Sequence, residues 1–193
     1  MLVSAGRGDP FDRHVFASAL ALAGGTGAAA LPRALGLDRQ GLIGVAATYF
    51  PQVLPLMEAL PADAGSASDP GALEEDDLRR LLLDHRSRGV LAENWLATII
   101  ARRSLGPNHL WQDLGLTHRS ELGRLMHRHF AALAACNVHD MKWKKFFYRQ
   151  LCERDGVLIC KAPNCTVCDD VHHCFAPEAG EPLNVLQQPV SRT

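Results

Sequence analysis

The sequence contains no apolar run long enough to cross a bilayer, a passage that needs about 20 residues. Its formal net charge is only −1 at pH 7, so nothing in the overall balance points to nucleic acid or an acidic membrane as partner. The glycine run Gly24-Gly25-Thr26-Gly27 lacks the Lys-Ser/Thr ending and the preceding strand of a phosphate-binding loop. Rossmann glycines and a Ser-His-Asp arrangement are also missing, and the chain reads as a protein other than an enzyme. The acidic run Glu74-Glu75-Asp76-Asp77 has neither the alternating ligands nor the turn glycine of a calcium loop. It suits the first turn of a helix, where the dipole favours negative charge. Near the N-terminus, Ala17–Ala23 is apolar, but Asp9 and Asp12 spoil the positive leader of a signal peptide. The compartment implied is the cytoplasm.

What is present is a helical pattern throughout, with no convincing strand. Hydrophobic content of 47% with 21% charged residues over 193 positions is that of a globular chain with a sizeable core. Apolar residues recur at helical spacing over Pro10–Ala23, from an Asp38 cap to about Tyr49, and over Leu73–Arg86 and Leu91–Arg103. Two further stretches follow, one from a Thr117 cap to about Ala135 and one over Met141–Glu153 behind an Asp140 cap. His85 falls on an apolar face, where a satisfied core histidine is the simpler reading, and His129 falls on the apolar face of its own stretch while His127 falls off it. The fold class is therefore all-α, a helical domain with a C-terminal cysteine-rich loop. The proposed division is an N-terminal helical segment (1–60), a Pro/Ala/Gly/Ser-rich linker (61–72), a helical domain (73–178) and a tail (179–193). The Pro-rich, polar character of the tail already begins at Phe175.

Four of the six cysteines crowd into Cys160-Lys-Ala-Pro-Asn-Cys165-Thr-Val-Cys168-Asp-Asp-Val-His-His-Cys174, spaced C-x4-C-x2-C-x5-C. Thiolates are soft ligands that suit zinc or an iron–sulfur cluster. Structural zinc sites take two close pairs separated by a longer loop, whereas here one close pair, Cys165 and Cys168, is flanked by single cysteines. That pattern favours an iron–sulfur cluster over zinc, and zinc stays open as the alternative. A disulfide framework does not fit so long and cysteine-poor a chain. The helix before the loop carries an aromatic stripe, Trp143, Phe146 and Phe147, and a separate basic stripe, Lys142, Lys145 and Arg149. Aromatic and basic residues on different faces argue for core packing rather than for single-stranded nucleic acid.

Three features together resemble one family: His109-Leu-Trp-Gln-Asp-Leu-Gly-Leu116, the block Asp140-Met-Lys-Trp-Lys-Lys-Phe-Phe-Tyr-Arg-Gln-Leu-Cys152, and the four-cysteine spacing behind it. The resemblance is to NifQ, the molybdenum-handling proteins of nitrogen-fixing bacteria, and extends over about Leu73–Glu178. It implies a mixed molybdenum–iron–sulfur cluster held by Cys160, Cys165, Cys168 and Cys174. It also implies molybdate as the source, and donation of molybdenum for the nitrogenase iron–molybdenum cofactor. The partners implied are the cofactor scaffold complex and nitrogenase reductase; the candidate docking face, read from the basic stripe and not from the resemblance, is Lys142, Lys145 and Arg149. His172 and His173 are candidate molybdenum ligands, Cys152 a buried thiol, and Cys136 has no assigned role. A zinc-stabilised interaction module and an iron–sulfur electron carrier are the alternative functions.

Overall fold

Asp9 opens the first helix of the computed structural model by accepting the amides of Phe11 and Asp12 through its carboxylate, with Pro10 in the first helical position. The structure describes residues 7–65, 72–155 and 171–183. Helix α1 (Pro10–Ala23) is followed by α2 (Leu31–Leu35), α3 (Arg39–Tyr49), α4 (Leu54–Glu58), α5 (Ala72–Asp84) and α6 (Leu91–Ser104). Next come α7 (Leu110–Asp113), α8 (Arg119–His129), α9 (Ala131–Cys136), α10 (Trp143–Asp155) and α11 (Val171–Phe175). Short 3-10 turns join the early helices, and no strand occurs among the described residues. The all-helical class is as the sequence indicates.

One apolar cluster runs from Phe11 in α1 to Leu151 in α10, so helices on both sides of segment 61–72 share a core. Asp38 caps α3 through the amide of Gly41, and α3 buries Leu42, Val45, Ala46 and Tyr49, the face its periodicity predicts. Gly44 of the same helix permits close packing, because a Cβ there would fall 2.5 Å from the indole of Trp95 on α6. At the centre, Phe16 is fully buried, with its ring 4.8 Å from Tyr49 and edge-on to Trp95 at 6.3 Å. Each such pair adds about 0.5–1.5 kcal/mol to the burial of its rings. Among the described residues no single helix is long and apolar enough to cross a membrane.

Several boundaries differ from those read in the sequence. The stretch expected as one helix from Thr117 to Ala135 breaks at Phe130, where the backbone turns to φ −139 and ψ 50. The break is satisfied from outside the helix: Ser87 donates its amide to the His129 carbonyl and accepts the Ala131 amide on its hydroxyl, both at 2.9 Å. Apolar periodicity carries straight through such a point, since Phe130 and Leu133 are both buried. Asp140 does not cap the following helix; it sits at φ 52 and binds Arg119, and α10 begins at Trp143. The N-terminal approach is tied down as well, with the Arg7 amide donating to the Tyr49 carbonyl.

Candidate metal centre

Of the four motif cysteines, Cys160, Cys165 and Cys168 lie outside the described residues, and so does the side chain of His172. Cys174 is described. It lies in α11, half-buried, and packs with Phe175 against the apolar core. Its carbonyl accepts the amide of Lys142 at 2.9 Å, one residue before α10 begins. The chain therefore leaves α10 at Asp155 and is anchored again beside the start of that helix. Thirteen helical residues separate those points, about 20 Å. His173 is exposed.

The segment after Cys174, read as a Pro-rich, polar tail from its composition, is held against the helices as far as Glu181. The Glu178 side chain is 3% exposed and ion-paired to Arg119, with Oε2 3.4 Å from Nε and without hydrogen-bond alignment. Its other oxygen lies 3.7 Å from His109 Nδ1. Gln112 donates from Nε2 to the Glu181 carbonyl at 2.8 Å. Gly180 adopts φ 152, and a Cβ there would fall 2.5 Å from that same nitrogen, so glycine alone fits beneath the Gln112 side chain. These contacts form a strap that fixes the C-terminal flank of the cysteine segment.

Arg119 is the hub. Besides Glu178 it binds the Asp140 carboxylate, and its Nη2 donates to the carbonyls of Asp140 and Met141 at 3.0 and 3.1 Å. The arginine thus joins the strap to the turn that launches α10. That turn is closed by Asn137, whose side chain accepts the Met141 amide and donates to the Met141 carbonyl. Lys144 anchors α10 from another side, donating to Asp113 at 2.6 Å and to the Gly106 carbonyl at 2.7 Å. The two blocks noted in the sequence, His109–Leu116 and Asp140–Cys152, are brought together around Cys174 and the strap. Sequence reasoning missed Gln112, Arg119 and Glu178. The one available signal was the polar-aromatic mix of His109–Leu116, for which periodicity offers no partner.

Within α10, Trp143, Phe146, Phe147 and Leu151 are buried as the spacing indicates, the first three forming a ring cluster with centroids 5.8–6.1 Å apart. Cys152 is buried and Cys136 exposed. Of the basic stripe, Lys145 is exposed while Lys142 and Arg149 are half-buried, and Arg149 Nε donates to Glu153 at 2.6 Å.

A second polar cluster lies on the opposite flank of α8. His129 has no exposed side-chain surface; its Nε2 meets Asp12 at 2.8 Å, and its Nδ1 faces Glu93 at 3.7 Å and Arg88 at 3.3 Å. Burial alone would raise the Asp12 carboxyl, but hydrogen bonds from His129 and Arg128 outweigh it and hold the group below its ordinary value. Glu93, also without exposed surface, accepts three amides on Oε2: Arg88 at 3.1, Gly89 at 2.7 and Val90 at 3.3 Å. Every member is committed to the others, and the cluster ties α1, α6 and α8 together. Among the described residues no three of His, Cys, Asp and Glu are arranged to hold a metal ion.

The comparisons with known proteins agree with the motif blocks. A family model described as NifQ matches residues 15–176. Protein NifQ homolog of Sinorhizobium fredii is 42% identical over 174 residues, which cover 89% of this chain and 74% of that protein. Protein NifQ of Azotobacter vinelandii is 42% identical over 163 residues, covering 79% of this chain and 82% of its own. Protein NifQ of Klebsiella pneumoniae is 52% identical over 81 residues, 42% of this chain and 48% of its own. No solved structure matches. With the match spanning both motif blocks and reaching back into α1, the chain belongs to the NifQ family.

Proposed function

We propose that this protein binds a mixed molybdenum–iron–sulfur cluster, processes molybdenum and donates it for the iron–molybdenum cofactor of nitrogenase. The observation that carries the reading is the C-x4-C-x2-C-x5-C spacing set behind the Asp140–Cys152 block in a chain of this family. Cys160, Cys165, Cys168 and Cys174 supply the thiolates. Their donor chemistry fits the cargo: iron and sulfide take thiolate ligands readily, and molybdenum destined for a sulfur-rich cofactor must leave the all-oxygen setting of molybdate.

The cluster in this reading is cargo as much as cofactor, so the protein acts as a carrier and not as an enzyme. Anchoring Cys174 on α10 while holding the following strap gives one thiolate a fixed position during that exchange. The cofactor scaffold complex and nitrogenase reductase are the proposed partners, in the cytoplasm. Lys142, Lys145 and Arg149 are the proposed docking stripe, with Lys145 the most accessible. Replacing all three by Glu should weaken delivery and leave metal content unchanged.

The deciding experiment is metal analysis with a visible spectrum on protein purified without oxygen, for wild type and Cys168→Ala. Iron with molybdenum, and loss of both in the variant, supports the donor reading. Iron alone, in a cluster that cycles reversibly and stays bound, makes the protein an electron carrier. Stoichiometric zinc in colourless protein overturns the cluster and leaves an interaction module.

A further inference from the structure

A groove of about 640 Å³ lies between the turn leading into α2 and the C-terminal end of α6. Three guanidinium groups line it, from Arg33, Arg102 and Arg103, together with Ala34, Leu105 and Gly106, and among the described residues no acidic side chain does. Basic residues at a helix C-terminus commonly serve the helix dipole. Here the amides of Leu105 and Gly106 already take the carbonyls of Arg102 and Arg103. Arg102 is further accounted for by Glu75, 3.0 Å away.

Arg103 is different. Its Nε and Nη2 are buried with no hydrogen-bond partner. The neighbouring carboxylate, Asp113, is committed to Lys144 and Asn108. Burial lowers the pKa of Arg103, Asp113 opposes this, and Arg102 lowers it further. A guanidinium left unpaired on one edge and placed beside two others is a fork of donors without its acceptor.

We propose that this groove is a binding site for a small tetrahedral oxyanion, with Arg103 as its central fork and Arg33 and Arg102 as flanking charges. The Nε–Nη2 edge is closed to solvent in the present geometry, so occupancy turns the guanidinium about its terminal side-chain bonds towards the anion. Bidentate guanidinium recognition is well matched to such an anion. If the protein handles molybdenum as proposed above, the natural occupant is molybdate, and only that assignment rests on the functional reading. The groove also adjoins α10, because the Gly106 carbonyl on its wall is held by Lys144 of that helix.

The test is equilibrium dialysis of the full-length protein against labelled molybdate, with sulfate and phosphate as competitors. Saturable binding of one anion per chain is expected, weakened about 10- to 100-fold by Arg103→Gln and by Arg33→Gln, the loss of a charged hydrogen-bonding group. Arg33 is exposed, so its variant guards against a folding defect in the other. Arg80→Gln, at an exposed arginine paired with Asp77, and Cys168→Ser should bind as wild type. Phosphate or sulfate binding at the same arginines keeps the site and changes its source of anion. Binding that survives both arginine replacements, or vanishes with Cys168→Ser, overturns the proposal. Metal analysis that found only zinc would remove the molybdenum function and leave this result standing.

Discussion

Replacing Glu178 by alanine should release the strap that follows Cys174 while the helical core stays folded. The carboxylate is 3% exposed and sits 3.4 Å from Arg119 Nε. At an effective dielectric of ~20 the gross attraction at that distance is about 5 kcal/mol. Desolvation of the buried oxygen cancels much of it, and removing the carboxylate does not strand the arginine, which keeps the Asp140 carboxylate and two carbonyls. The net loss should therefore be about 1–3 kcal/mol. Expressed as local opening, that is about a 5- to 150-fold increase.

Hydrogen exchange reads the effect directly. Amides of residues 174–183 should exchange faster by that factor in Glu178→Ala, with those of α6 and α8 unchanged. If the strap amides moved by less than about twofold, Glu178 would not be what holds it. Faster exchange of α6 and α8 by the same factor would mean that the residue supports the whole fold. Should the protein hold a cluster as proposed, the variant should also lose iron to a chelator faster than wild type at equal thermal stability.

Three further outcomes follow from the geometry. Gly180→Ala, whose new methyl would lie 2.5 Å from Gln112 Nε2 at φ 152, should loosen the same amides, and Gln112→Ala should relieve the clash without restoring the bond to Glu181. Glu93→Ala strands three amides beside a fully buried histidine and should cost about 3–5 kcal/mol in urea unfolding; a loss below ~1 kcal/mol would show that water replaces the carboxylate. The His14–Glu121 pair predicts a stability window. His14 is raised above 6.5 by its hydrogen bond to Glu121. For Glu121, burial is outweighed by hydrogen bonds from His14 and Thr117, which lower it from 4.5 to about 2. The histidine's contribution is complete below pH 6.5 and fades as pH rises through its raised value. The glutamate's is complete above pH 4.5 and fades towards pH 2. Wild type should therefore lose stability relative to His14→Gln as pH rises above neutrality, and parallel pH curves for the two proteins would contradict the pairing.

Local patterning alone determined a good deal of this protein. The class, the inward face of α3, the aromatic stripe of α10 and the burial of His129 all follow from apolar spacing, because the face a helix buries is set by residues three and four apart. The four-cysteine motif was equally legible, its members lying within fifteen residues, and its proposed assignment to a metal rests on sequence, since three of them lie outside the described residues. The anchoring of Cys174 could be seen only in the tertiary structure. Ser87 breaks the helix at Phe130 from 43 residues away in number, and Arg119 reaches both Asp140 and Glu178. A Pro-rich, polar composition reads as a tail until a buried partner is supplied for its carboxylate. Hydrogen bonds and ion pairs between distant residues have no period along the chain, so their partners are decided by how the helices pack.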